Sequence, residues 1–255
     1  MSTTGSATPS VLVIGAGFGG LAMALELRKA GFTGFTVLER AADLGGVWRE
    51  NTYPGVGCDI PSPLYSFSSA PNPRWPKRFS TGADVQDYLH AVVDRFRLDE
   101  HIVFGAAVTD ADFDEQHGQW VVRTGDGQLH RADVLVPATG QLSNPAMPDI
   151  PGLHRFTGPV FHSARWEHDC ALDGKRVGVI GTGASAVRAE VESRYDQRLQ
   201  RRLARSVWTL CSSWYRNAAG RITGNWPGTM TAYRWRTRRF SASDYHFTAA
   251  KGGAR

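Results

Sequence analysis

Between Val11 and Glu39 the sequence commits to a strand, a glycine turn, a helix and a second strand, in that order. Val11-Leu12-Val13-Ile14 is a short unbroken apolar run, the pattern of a strand buried on both faces. It leads straight into Gly15-Ala16-Gly17-Phe18-Gly19-Gly20, which sets G-x-G-x-x-G on Gly15, Gly17 and Gly20. A helical pattern runs from Leu21 to about Ala30, and Phe35-Thr36-Val37-Leu38 reads as the second strand. This order is the fingerprint of a dinucleotide turn. Gly15 permits the tight bend, Gly17 lets the backbone approach a pyrophosphate, and Gly20 lets the helix pack close to the strand. The helix start offers unpaired N–H groups and a positive dipole end to the phosphates. Glu39 stands nineteen residues after Gly20, at the tip of the second strand, where a carboxylate accepts both ribose hydroxyls. A carboxylate there repels a 2′-phosphate, so the turn suits FAD or NAD rather than NADP.

The rest of the composition excludes more than it selects. At 255 residues, 42% apolar and 21% charged, the chain is of ordinary globular make-up, with room for one large domain or two smaller ones. No apolar run approaches the roughly 18 residues of a membrane span. Met1 to Ser10 is small and polar without a basic segment, so no signal peptide is read there. Cys58, Cys170 and Cys211 are odd in number and lack metal-ligand spacing; they read as reduced thiols of a cytoplasmic protein, with no metal site. Charge is unevenly spread. Residues 188–255 hold fourteen Lys/Arg against four Asp/Glu, and the first 187 hold fifteen against twenty. No nucleic-acid motif accompanies the basic tail, so a nucleic-acid partner is not expected. The plainer readings are a solvated arginine-rich face or a cover for a phosphorylated cofactor, with an interaction surface for polyanions left open.

Beyond Glu39, Arg40 to Ser80 reads as a long loop rich in Gly, Pro, Ser and aromatics, a length that is usually functional. Thr81 to Phe96 has Val85, Tyr88, Leu89, Val92, Val93 and Phe96 on one helical face. Ile102–Phe104, Ala107–Phe113 and Trp120–Arg123 read as strands, and Asp126-Gly127 as a hairpin turn within a small β-meander. Asp133 to Val136 is a buried parallel strand running into Pro137-Ala138-Thr139-Gly140, a return to the carboxyl edge of a doubly wound sheet. Pro145, Pro148 and Pro151 mark a domain boundary, giving a first domain over 1–145. Arg176 to Ile180 then repeats the strand, and Gly181-Thr182-Gly183-Ala184-Ser185-Ala186 repeats the turn, with Ala186 in the third glycine's place. After it the alternation stops. Residues 188–206 read as one charged helix with a narrow apolar stripe, and Val207 to Leu210 is the single further strand candidate. The fold class is therefore α/β: a doubly wound Rossmann-type domain with a β-meander, then a truncated second dinucleotide-binding domain. Residues 146–187 form a linker and the start of that second unit, and 188–255 a charged C-terminal segment.

Three motifs carry a resemblance. Gly45-Gly46-Val47-Trp48 through Tyr53-Pro54-Gly55 to Asp59 fits G-G-x-W-x-x-x-x-Y-P-G-x-x-x-D at every specified position. Phe156, Gly158, His162 and Trp166 fit F-x-G-x-x-x-H-x-x-x-W, with Glu167 where Pro or Asp is usual, and Ala138-Thr139-Gly140 supplies an A-T-G. In these the chain resembles the Baeyer–Villiger monooxygenases among the flavin-containing monooxygenases. The match covers roughly residues 10–187, and about 190–247 resembles the family's C-terminal end, including Ser213-Trp214-Tyr215 and Asn225-Trp226-Pro227-Gly228. The chain is thus similar to the two ends of a longer enzyme joined together.

The resemblance implies FAD as cofactor, NADPH as reductant and O₂ as co-substrate. One oxygen atom then goes into a ketone or onto a soft N or S atom. It implies that Gly46, Trp48, Asp59, Tyr65, Ala138, Thr139 and Gly140 join Gly15, Gly17, Gly20 and Glu39 around FAD. Gly181, Gly183 and Ser185 are implied for the NADP pyrophosphate, and Phe156, Gly158, His162 and Trp166 for a hinge between the sites. Asp59 is the implied active-site carboxylate, against the alternative of a turn cap before Ile60-Pro61; Trp48 and Tyr65 either wall the flavin or pack in the core. The segments that hold the family's catalytic arginine and its 2′-phosphate-binding basic residues have no counterpart here. This leaves an FAD-binding remnant without oxygenase activity as the alternative function.

Overall fold

The structure is a computed structural model that describes residues 8–172, 175–181 and 183–186, and the backbone of 206–210. Its contacts divide the chain into two compact units, one of Met1–Glu50 with Ile60–Ser143, the other of Asn51–Asp59 with the chain from Asn144 onward. The first unit is built on a parallel sheet ordered β3-β2-β1-β7. Its central strand β1 (Val11–Ile14) lies between β2 (Phe35–Leu38) and β7 (Val134–Pro137), in register with both over all four residues. The edge strand β3 (Ile102–Val103) extends β2. A strand paired on both sides has its polar backbone satisfied and both faces free to bury side chains, and Val11, Leu12 and Val13 are accordingly buried.

One face of the sheet is covered by α1 (Phe18–Lys29), which buries Gly20, Leu21, Ala24 and Leu25, and by α3 (Gly82–Phe96), which buries Val85, Tyr88, Leu89, Val92 and Val93. On the other face Leu12 and Leu38 pack with Val122 and Ala132 of a three-stranded antiparallel meander. That meander comprises β4 (Val108–Asp114), β5 (Gln119–Thr124) and β6 (Leu129–Ala132). The Asp126-Gly127 turn sits where expected: Gly127 takes φ +84° and its N–H donates to the Thr124 carbonyl at 2.9 Å. The Rossmann-type parallel sheet and the meander read from the sequence are therefore both present, with helices on one face of the sheet and the meander on the other.

Two local differences have physical causes. The helix expected from Leu21 already starts at Phe18, because the glycine turn itself supplies the first helical turn. The loop from Arg40 to Ser80 is not wholly irregular: it holds the single turn α2 (Val47–Glu50) and a 3₁₀ turn at Ser62–Leu64. No helix among the described residues is long and apolar enough to cross a membrane.

In the second unit, β8 (Arg176–Ile180) pairs in parallel with β9 (Ser206–Leu210) over five residues. Parallel pairing requires a crossover between the strands. The second glycine turn is thus followed by a parallel partner at the single strand candidate read from the sequence. The charged helix expected over 188–206 lies outside the described residues, apart from the backbone of Ser206.

Helix α3 begins abruptly because Thr81 and Asp84 form a capping box: Thr81 Oγ1 accepts from the Asp84 N–H, and Asp84 Oδ2 accepts from the Thr81 N–H. Thr81→Ala removes one of these bonds, and urea unfolding should register a loss of about 1 kcal/mol with the slope of the transition unchanged.

Candidate functional site

The glycine turn after β1 is shaped by close backbone contacts. Gly15 sits at φ +101°, and a Cβ there would meet the Ala138 carbonyl oxygen at 2.7 Å. At Gly20 a Cβ would meet the Gly15 carbonyl oxygen at 1.8 Å, so α1 rests directly on the turn. Gly17 differs: its Cβ would find only the Gly46 Cα at 3.6 Å, an ordinary contact. The protein's own packing therefore does not demand a glycine there. Gly17 is also the N-cap of α1 and provides no side-chain cap. The first N–H groups of the helix are therefore left for an anion.

Three further segments converge on this turn. Gly45 and Gly46, at φ +113° and +56°, dock on it through the Gly45 N–H, which donates to the Ala16 carbonyl at 2.9 Å. A Cβ on Gly45 would strike the Gln86 side chain, whose Nε2 donates to the Leu44 carbonyl at 2.8 Å, so α3 braces the pair from behind. Ala138 comes off β7 next to Ile14, its N–H donating to the Ile14 carbonyl, and carries the exposed Thr139 and Gly140 to the same edge. Glu39 leaves β2 buried, 4% exposed. Its Oε2 accepts from the Ala16 N–H at 2.8 Å, while Oε1 accepts from the Ala41 N–H at 3.0 Å and from Arg49 at 3.1 Å.

Trp48 and Tyr65 are joined as well. Trp48 Nε1 donates to the Tyr65 hydroxyl at 3.1 Å with the rings edge to face, and Tyr65 packs edge-on against Phe18 at the start of α1. Both rings remain half-buried, with Trp48 packed against the main core. The sequence-derived set Gly15, Gly17, Gly20, Glu39, Gly46, Trp48, Tyr65 and Ala138–Gly140 thus belongs to one compact unit. Asp59 does not: it is exposed and groups with the second unit, on the segment whose Thr52 hydroxyl lies 2.8 Å from His168 Nε2.

The second unit's residues have their own arrangement. Gly181 takes φ +136° at the end of β8, and Gly183 leads into a helical turn at Ala184–Ala186 that contains Ser185. His162 is buried, and its Nδ1 accepts from the Ala164 N–H at 3.0 Å, capping the 3₁₀ turn Ser163–Arg165. That bond fixes the proton on Nε2, which is buried and has no hydrogen-bond partner among the described residues. Burial, helped by the nearby Arg165 charge, holds the His162 pKa below its ordinary value. Phe161 and Trp166 close over this turn edge to face at 5.1 Å. His162 therefore has a hydrogen-bonding part in the fingerprint. What sequence reasoning missed is Arg49, Glu50 and Arg40, which gather around Glu39. Nothing in their spacing signals it, because a loop brings them together.

A family model described as flavin-binding monooxygenase-like matches residues 8–216. The chain belongs to that family. Among its curated relatives, a Baeyer-Villiger monooxygenase of Streptomyces coelicolor is 55% identical over 177 residues, which cover 69% of this chain and 34% of the relative. A Baeyer-Villiger monooxygenase of Pseudomonas aeruginosa is 42% identical, covering 69% and 34%. The chain thus spans about a third of the length of these relatives. Among solved structures, the closed form of cyclohexanone monooxygenase aligns with a TM-score of 0.66 at 34% identity, covering 83% of this chain and 39% of that one. An oxidised steroid monooxygenase bound to NADP aligns with a TM-score of 0.66 at 37% identity, covering 84% and 40%. The family resemblance read from the three motifs is therefore correct, and so is the Rossmann-type α/β fold class.

Within this flavin-binding monooxygenase-like turn, the glycines separate by substitution. Gly20→Ala should cost about 3 kcal/mol in urea unfolding, whereas Gly17→Ala should cost under about 1 kcal/mol. In the fingerprint, protonation of His162 removes its cap and charges a buried ring. The stability it contributes is present above the ordinary histidine pKa and is lost as pH falls through the lowered folded value. Thermal melts from pH 7.5 downward should show this decline, and His162→Asn should flatten it.

Proposed function

We propose that the chain binds FAD at the first glycine turn and serves NADPH-driven transfer of one oxygen atom from O₂ to a ketone carbonyl. The observation that carries the FAD assignment is the uncapped start of α1 at Gly17, with the Glu39 carboxylate bonded to the same turn through Ala16. The residues fit the group. Phosphates are met by helix N–H groups at a point where no acidic residue occupies the first turn. Glu39 lies at the ribose position, and Gly46 and Ala138–Gly140 offer backbone without bulk along the edge. Trp48, fixed by its bond to Tyr65, supplies an aromatic wall that excludes water from the ring system.

When bound, FAD supplies the redox chemistry, taking a hydride from NADPH and passing electrons to O₂. The chain's own part is to bind and orient. Gly181, Gly183 and Ser185 are assigned to the NADPH pyrophosphate, and β9 gives that turn the parallel partner a nucleotide-binding unit requires. Asp59, exposed and acidic, is assigned to the flavin and nicotinamide side as partner for a mobile arginine. NADPH use is supported by a steroid monooxygenase bound to NADP and a further relative in complex with FAD and NADP. A ketone substrate is supported by a cyclohexanone monooxygenase bound to cyclohexanone. Sulfides and amines are the other substrate class the chemistry allows. A second reading, a chain that holds FAD without oxygenating anything, draws on its covering 34% of its Streptomyces relative.

One experiment separates the readings. The purified 255-residue chain should be yellow, and anaerobic NADPH should bleach the flavin bands. Bleaching by dithionite but not by NADPH would favour the FAD-holding reading, and colourless protein that takes up no added FAD would overturn both. Gly17→Asp should fold with wild-type circular dichroism yet lose all flavin, through steric and charge conflict with the pyrophosphate.

A further inference from the structure

Four side chains around the ribose position form a chain of alternating charge within the first unit. Glu39 pairs with Arg49 at 3.1 Å, Arg49 with Glu50 at 3.1 Å, and Glu50 in turn with Arg40. Arg40 also donates to the Ser143 carbonyl at 3.0 Å, and Arg49 to the Asp43 carbonyl. Two guanidinium groups thus stand at the place where a dinucleotide site distinguishes a free 2′-hydroxyl from a 2′-phosphate. Arginine is the side chain suited to hold such a phosphate. Here both pair with one residue, Glu50, whose side chain is 12% exposed, and Glu39 shares Arg49 with it. Glu39 meets one of the two cations, Arg49, whereas Glu50 meets both.

The acceptor count on Glu39 agrees. A carboxylate has about four acceptor sites. Ala16, Ala41 and Arg49 use three, two of them on Oε1. A ribose diol needs two acceptors, so Arg49 must yield its place, and Glu50 is positioned to keep hold of it.

A chain with two dinucleotide turns that serve nucleotides differing by a 2′-phosphate needs a device that keeps the phosphorylated one out of the first turn. We propose that Glu50 is that specificity-determining residue, holding Arg40 and Arg49 in ion pairs so that 2′-phosphorylated adenine nucleotides are rejected. The proposal rests on the FAD assignment above and goes beyond it.

The test is displacement of FAD from the 255-residue chain, followed by flavin fluorescence, with 5′-ADP and with 2′,5′-ADP as competitors. Wild type should prefer 5′-ADP, and Glu50→Gln should shrink that preference roughly tenfold, since it leaves two guanidinium groups facing one carboxylate. Arg40→Glu, which does not depend on the folding of Glu50→Gln, should widen the preference by a similar factor, and the shrinkage should fade in high salt. A ratio of the two competitors unchanged in both variants overturns the proposal while the FAD assignment stands. Failure of the wild-type chain to bind FAD at all overturns the FAD assignment and the proposal together.

Discussion

Gly20 lies so close to the carbonyl of Gly15 that a methyl group there would sit 1.8 Å from the oxygen. This contact seats α1 on the turn that leaves β1, and much of the first unit follows from it. It directs the uncapped helix start to the carboxyl edge of the sheet and brings Leu21, Ala24 and Leu25 onto the buried face. A Cβ at this one position would lift the helix and open the core and the site together. The same backbone economy recurs at Gly15 against Ala138 and at Gly45 against Gln86. Three strands and two helices therefore meet at one edge with little side-chain bulk between them. In open α/β sheets ligands bind at the carboxyl edge of the strands, and this edge carries the glycine turn.

Charge is handled with similar economy. Buried Glu39 is held by two backbone N–H groups and one guanidinium. Burying a carboxylate is costly unless it is hydrogen-bonded and paired. The bonds that orient Glu39 also recruit Arg49, and Arg49 recruits Glu50, which pairs in turn with Arg40, so these charges are balanced as a group. Sequence arguments that treat the acid at the second strand as a lone determinant overlook this coupling.

The second unit places the signature segment in a new light. Its first half, Gly45–Glu50, belongs with the sheet and the glycine turn, while Asn51–Asp59 groups with the chain beyond Asn144. One continuous motif therefore serves two compact units. His162 caps its own turn through Nδ1 while its Nε2 is buried, so its ring is tied into the fold of that turn.

Much of this protein was legible in its residues. The strand, turn and helix at Val11–Lys29, the partner strand ending at Glu39, the meander and its Asp126-Gly127 hairpin follow from local rules: apolar runs, glycine spacing and turn chemistry act over a few residues. The family followed from motifs whose spacing is itself local. The strand at Ser206–Leu210 was marked by its apolar pattern, but its parallel pairing with Arg176–Ile180 was decided by tertiary contact. The same holds for the Glu39–Arg49–Glu50–Arg40 chain, the bracing of Gly45 by Gln86, and the division of the signature between two units. These depend on how a loop returns through space, and periodicity carries no information about a loop's path. The sequence by itself determined which elements form and what class of ligand the turn suits. Only the folded chain decided which charges meet there, because pairing energy depends on distance across space rather than separation along the chain.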